Sequence, residues 1–353
     1  MFSSRKPWMA ILGVAVLAFS TNARAAAGDL EKLLPNDTEA VIVFNVQQLL
    51  GAPLLTKAGA VDTIKEALKS NENAKKITEE LGIDPLKDIE SLVSTQSSAD
   101  PEKGLMILNG KFDVAKFRAK AEAIAKDNKD RLTIHKVKLD DAEYSVYEVN
   151  KLDELIQLPP QVEMVAGDVK SIKKAFVGID KSAIVMSPDK EYVAEALAKA
   201  AGKKKTEIKS KEMQAILAKV DPKQTISLAV LAGSLAKGKL GEGKDAKAFL
   251  AKLNNITGGI TVADGINTKI VLAAKSDGDA SAINKQIEEG LDTARGLVGV
   301  LTAQDTKLAP LADLVKGVKS TASEKTVAIA SDISGDAIRE LVKVLGQRVN
   351  PEK

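Results

Sequence analysis

The one histidine, His135, is where a search for chemistry begins. An imidazole can act as general base beside a serine, but the chain has no G-x-S-x-G elbow to present such a nucleophile. One imidazole also excludes every site built on two, H-E-x-x-H zinc sites among them. His135 is in phase with Thr133, Val137 and Leu139, so it reads as an ordinary strand residue. Serine with lysine three residues on is the next candidate, because a nearby amine can activate a hydroxyl. Ser171/Lys174, Ser187/Lys190 and Ser234/Lys237 have that spacing. In a chain this rich in lysine such pairs arise by chance, and neither S-D-N nor K-T-G accompanies them.

Gly202-Lys203-Lys204-Lys205-Thr206 has the look of a phosphate-loop tail. The loop needs an earlier glycine where Leu197 stands and a Ser or Thr where Lys204 stands, so the backbone cradle is missing. Two acidic clusters, Asp140/Asp141/Glu143 and Asp277/Asp279, offer oxygen ligands for calcium. Neither has EF-hand spacing, and a hairpin turn and a helix cap account for them. A pair of carboxylates distant in sequence could still meet as in a glycosidase, although nothing selects the pair. No catalytic, cofactor-binding or metal-ligating residue is therefore assigned. The one binding candidate is a contact for an anionic polymer through Lys203, Lys204, Lys205, Lys209 and Lys211, weighed against an ordinary solvated helix end.

The elements that must position any site begin beyond an unusual start. Arg5 and Lys6 precede an apolar run at 8–19, and Ala23-Arg24-Ala25 places small residues where a signal peptidase reads. This is the layout of a secretory signal peptide, with cleavage expected after Ala25 or, second, Ala27. The run is shorter than the roughly 20 residues of a spanning helix. Loss of the leader removes three of the 51 basic residues and leaves the mature chain balanced against its 48 acidic ones. A neutral chain has no global field for nucleic acid. The single Trp, Trp8, is lost with the leader, and the few remaining rings are poor material for stacking on bases or sugars. The absence of Cys excludes disulfides and thiolate chemistry. An exported, periplasmic or extracellular soluble chain with no membrane span after cleavage is expected.

Beyond the leader, short strand signals recur at 40–46, 91–96, 105–108, 132–139, 144–149, 162–165, 183–186, 226–231, 259–263, 269–274 and 326–330. Helices have readable ends. Asp113 can N-cap a helix over 113–127, with Phe112 and Phe117 at staple spacing. Ser187-Pro188 can start another, which Gly202 closes. A long stripe over 280–302 contains Gly290, Gly296 and Gly299, which would permit close packing, and Ile338, Leu341 and Leu345 mark the last helix. The order strand, strand, helix, strand, strand occurs in each half. The expected fold is α+β in two tandem units, 26–205 and 206–353, each a mainly antiparallel sheet with helices packed on one face.

The opening LEKLLPNDTEAVIVFNVQQLL, with Leu34-Pro35 before Asp37-Thr38 and a hydrophobic strand, resembles a group of uncharacterised exported proteins of planctomycete-type bacteria. GLMILNGKFDVAKFRAKAEAIAK and AAGKKKTEIKSKEMQAILAKVDPKQ are similar to their later parts. The resemblance implies export and a tandem α+β build, and no catalytic role travels with it. The reading that follows is an exported, non-catalytic protein that binds a macromolecule or contributes to the cell envelope, with an envelope protein or polymer as partner. The alternative is an exported hydrolase with an unconventional Ser or carboxylate site.

Overall fold

Short β-rich segments with apolar residues on one or both faces dictate a sheet, and the helices between them must cover it. A computed structural model describes residues 32–70, 75, 78–79, 82–97, 103–151, 173–221, 223–237 and 243–349, with the backbone alone for 345–349. The leader and the strand expected at 162–165 lie outside the described residues. In chain order the elements are β1 (Thr38–Asn45), α1 (Val46–Leu50), α2 (Pro53–Lys57), α3 (Ala60–Ser70), β2 (Ile89–Ser97), β3 (Met106–Gly110), α4 (Val114–Asp127), β4 (Leu132–Leu139), β5 (Ala142–Asn150), β6 (Lys174–Ile179) and β7 (Ala183–Ser187). There follow α5 (Lys190–Ala200), α6 (Lys211–Leu217), β8 (Ile226–Leu231), α7 (Ala232–Lys237), α8 (Lys244–Leu250), β9 (Leu253–Val262), β10 (Ile266–Ala274), α9 (Asp277–Gln304), α10 (Ala309–Lys316), β11 (Val318–Ser323), β12 (Thr326–Ile333) and α11 (Gly335–Val349).

The protein is a mixed α+β structure around one twelve-stranded sheet in the order β11-β12-β10-β9-β8-β1-β2-β3-β7-β6-β5-β4. Each neighbouring pair is antiparallel, as the short connections require. The strands do not separate into two sheets: β1 and β8 pair directly, Val41 opposite Ala229. The position expected to divide the chain, 205/206, lies between α5 and α6, and one apolar cluster takes in Leu197 before it and Met213 and Ala229 after it.

Register defines two faces. Val43, Val93, Ile107 and Val185 share the front face, while Phe44, Leu92, Leu108 and Ile184 share the back. On the front, α5 and α6 press Val193, Leu197, Met213 and Ile216 onto Val41, Val93, Val185 and Ala229. On the back, Phe117, Ala121 and Ile124 of α4 cover Ile184, Val177 and Tyr147. Ala280, Ile283 and Ile287 of α9 cover Leu272 and Val327 on that same back face. Leu54 of α2 and Ile338 of α11 cover Val262 and Ile266. The first seven strands thus carry helices on both faces, and in 206–353 α6 sits on the front while α9 sits on the back, so the one-face expectation is corrected in both halves. In the first half the cause is β6 and β7, whose residues are apolar and buried on both sides.

Local signals fare unevenly. Asp113 caps α4, accepting from Lys116 N at 2.9 Å. Ser187 is the last residue of β7 and not the cap of α5; its Oγ donates to the Gly104 carbonyl, and Asp189 caps the helix instead. Gly202 does close α5, at φ 68°. In α9, a Cβ added at Gly290, Gly296 or Gly299 would meet nothing within 4 Å, so these glycines serve no close packing among the described residues. Among the described residues no helix is long and apolar enough to cross a membrane.

Candidate functional site

Two clusters bring polar groups together in the covered half. The first is built on α5. Asp189 Oδ1 accepts from Glu191 N at 2.9 Å, which starts the helix, and Asp189 also pairs with Lys103 at 2.9 Å. Val193, Ala194 and Leu197 face the sheet. Tyr192, Glu195 and Lys199 are spaced to share another face of the helix; Tyr192 and Lys199 meet the chain leading into β1, and Glu195 pairs with Lys199 and Lys204. Tyr192 OH donates to Asp37 Oδ2 at 2.7 Å, and Ser97 Oγ donates to the same oxygen at 2.5 Å. Lys199 has a fully buried side chain. Its Nζ donates to Leu34 O at 2.6 Å and to Asn36 Oδ1 at 2.9 Å, and lies 2.8 Å from Glu195 Oε1.

The electrostatics follow from this geometry. Burial pulls the Lys199 ammonium below its usual pKa, and Glu195 opposes that pull. Burial, joined by the nearby Asp37 carboxylate and against the Ser97 contact, pushes the Tyr192 phenol up to about 12. Two of the ammonium's three donors go to Leu34 O and Asn36 Oδ1, and the Glu195 carboxylate stands beside it as ion-pair partner. Lys199 is therefore a clamp on residues 34–36 and is not poised as a base. The clamp continues outward: Glu207 N donates to Asn36 Oδ1 at 3.1 Å, Lys209 N to Asn36 O at 2.7 Å and Thr206 Oγ1 to Lys32 O at 2.6 Å.

The second cluster is on the front face of β4, β5 and β6. His135 Nε2 lies 2.6 Å from Glu148 Oε2, and Lys174 Nζ lies 3.4 Å from Glu148 Oε1. Phe176 sits edge-on to the His135 ring, centroids 5.8 Å apart, and beneath Lys174 Nζ at 5.2 Å. Burial by itself would raise the Glu148 carboxyl; hydrogen bonds from His135 and Lys174 outweigh it and hold the pKa below the usual carboxylate range. A carboxylate-oriented imidazole is half of a hydrolytic triad. The other half is missing: among the described residues no hydroxyl hydrogen-bonds either ring nitrogen of His135. Ser97, the serine held by a carboxylate, is on β2, with β3, β7, β6 and β5 between it and the strand of His135.

Of the five lysines singled out in sequence, Lys203, Lys205, Lys209 and Lys211 are exposed around the α5–α6 connection. Lys204 is half-buried, 3.5 Å from Glu195 Oε2. Asp140 and Asp141 form the two-residue turn between β4 and β5, Asp140 at φ 52°. Ser276 caps α9 by accepting from Asp279 N at 3.1 Å, and its Oγ donates to Asp279 Oδ2 at 2.7 Å. Among the described residues no three His, Asp or Glu side chains converge as a metal site would require. Sequence reasoning missed Glu148, Tyr192, Lys199 and Asp37. Glu148 was within reach, because a two-residue turn at Asp140-Asp141 places it diagonal to His135. Asp37 and Tyr192 are 155 residues apart and carry no mutual signal.

The arrangement defines an α+β protein with a large antiparallel sheet and two polar clusters that tie chain segments together. No protein-family model matches the chain, and comparison with curated proteins and with solved structures finds no match.

Proposed function

We propose that this is an exported, soluble, non-catalytic protein of the periplasm or cell surface that binds a macromolecule of the cell envelope. One contrast carries the reading. The groups best suited to chemistry, Lys199, Ser97, Tyr192 and Glu148, are each engaged by partners in the same chain, whereas a broad polar area of the sheet in the other half carries no helix among the described residues. The leader layout and the resemblance to exported planctomycete-type proteins support the compartment. N-terminal sequencing of the natural protein should start at Ala26 or Gly28, and finding Met1 retained on a cytosolic chain would remove the compartment argument. The test of the role is a panel of esterase, peptidase and glycosidase substrates offered to the mature protein. Turnover abolished by Ser97→Ala or Glu148→Gln would establish instead an exported hydrolase with an unconventional Ser or carboxylate site.

The two flanks of the β1–β8 pair run outward in matching order, β1-β2-β3-β7 and β8-β9-β10-β12, with a helix between the third and fourth members of each. This order supports tandem units at 26–205 and 206–353. Native-state hydrogen exchange should then resolve two cooperative units that open separately; a single opening free energy across all strands would count against them. The exposed lysines Lys203, Lys205, Lys209 and Lys211 support a contact with an anionic polymer, with Lys204 drawn inward by Glu195. Charge reversal at the exposed four should weaken polymer retention at low salt, and unchanged retention would discard that contact.

A further inference from the structure

Past β8 the front face changes character. Its rows, read across β9, β10, β12 and β11, are Thr257-Val271-Ala328-Thr321 and Gly259-Lys269-Ala330-Lys319, flanked by Asn255-Ala273-Thr326-Ser323 and, over three strands, Thr261-Asn267-Asp332. None of these residues joins an apolar cluster, because the clusters of β9, β10 and β12 lie on the back. Lys269 and Lys319 are exposed, share one row, and stand two strands apart, roughly 10 Å by strand spacing. Ala330, between the two lysines in that row, is small and exposed, while the Gln224 side chain lies over Gly259 at the β9 end of the row. Among the described residues neither lysine has an acidic partner; Asp332 is the one carboxylate that the four strands themselves place on this face, and Glu212 of α6 reaches its β9 end, accepting from Asn255 Nδ2 at 2.8 Å.

We propose that this open face docks a linear acidic polysaccharide lying across the strands, with Lys269 and Lys319 taking carboxylates two sugar rings apart and Thr257, Asn267 and Thr321 bonding to hydroxyls. This rests on the envelope-binding reading above. The charge selects a polyanion, since the two unneutralised lysines share a row that no carboxylate enters. A second copy of the chain is a poor occupant: four strands by four rows present on the order of 500 Å2, below the roughly 800 Å2 per partner of a stable interface. An acidic peptide is a poor occupant too. Peptides add to sheets through edge backbone groups; the ladder bonds of β9, β10 and β12 use theirs on both sides, and the free edge of β11 would seat a peptide beside the sheet and not across this face. Side-chain hydroxyls, an amide and ammonium groups remain, which suit a polymer of hydroxyls and carboxylates. The face has no aromatic ring for neutral sugars to stack on, so the charge is required.

The experiment measures binding of the mature protein to polygalacturonate, with dextran and poly-L-glutamate as comparison polymers, at low and high salt. Polygalacturonate should bind, weaken with salt, and lose about tenfold in affinity in K269E/K319E, about 1.4 kcal/mol; dextran should not bind. Both lysines are exposed, so the variant should melt with the wild type. Undiminished binding by the variant, equal binding of poly-L-glutamate, or no binding of polygalacturonate overturns the proposal. A pull-down from native envelope separates the two levels. If wild type and K269E/K319E capture the same envelope component, the binding role stands and this face is not its site; if neither captures any, both fall.

Discussion

Among the described residues the front face of the sheet is sealed over β1–β3 and β5–β8 and open over most of β9–β12, and the two stretches solve different problems. Under α5 and α6 each polar group must be matched, because an unpaired buried group costs free energy that packing does not return. Lys199 meets two acceptors and the Glu195 carboxylate there, Asn36 holds Lys199 and Glu207 N through one oxygen, and Asp37 takes two hydroxyls. On the open stretch Thr257, Asn267 and Lys319 have no packing partner among the described residues that restricts them. The covered half is therefore constrained by its contacts, and the open half is constrained by the ladder and by what binds it from outside the chain.

The largest expected effect tests the sealing. Lys199→Met keeps the buried stem but leaves the Glu195 carboxylate, Leu34 O and Asn36 Oδ1 without the ammonium. Breaking a buried pair in this way costs about 3–5 kcal/mol, read as a lowered urea midpoint. Hydrogen exchange should quicken first in residues 32–38. Lys269→Met on the open stretch should change stability by no more than about 0.5 kcal/mol. Equal effects at the two lysines would erase the distinction.

The same exchange on both stretches sharpens it further. Val185 is buried beneath α5, and Val271 is half-exposed on the same face of β10. Val185→Thr places a hydroxyl where the surroundings are apolar and should cost about 1–3 kcal/mol. Val271→Thr puts a good strand former beside Thr257 and Thr321, within about 0.5 kcal/mol of wild type. Glycines give a related pair. A Cβ at Gly178 would sit 2.7 Å from Val193 Cγ1 and 2.8 Å from Leu197 Cδ1, so Gly178→Ala should destabilise by about 1–2 kcal/mol. Gly296→Ala in α9 meets no neighbour and should stabilise by about 0.5–1 kcal/mol.

Much of this contrast was written in the residues. INTKIVLAA of β10 alternates, while AIVMS of β7 is buried on nearly every position, and that difference separates a sheet covered once from one covered twice. The strands at 132–139 and 226–231 are found where their patterns place them. The edge strand β11, VKSTAS, has no apolar alternation and gave no signal, as suits an edge blunted by polarity and Lys319. β6 is short and was passed over although Phe176, Val177 and Ile179 are apolar. Ser187 and Asp189 are both good caps two residues apart, and pairing of Ser187 with Phe176 in the sheet decided for Asp189. The Lys199 clamp was not legible, because α5 shows a polar stripe while its acceptors lie more than 160 residues earlier and are partly backbone.

The smallest of the effects in the sealed half is also the most specific to it. Tyr192→Phe removes the hydrogen bond to Asp37 Oδ2 and should cost about 1 kcal/mol at neutral pH. Because the folded phenol titrates at about 12, above its unfolded value of about 10, its contribution is complete below pH 10 and fades as pH rises toward 12. Lys199 works in the opposite sense: its folded pKa is lowered, so its own contribution to stability grows as pH rises through the folded value toward about 10.5. The difference between wild type and Tyr192→Phe largely cancels the lysine and should shrink between pH 10 and 12 in denaturant melts. A difference that stays constant across that window would mean that Tyr192 is not buried against Asp37, and the seal over residues 34–38 would have to be drawn without it.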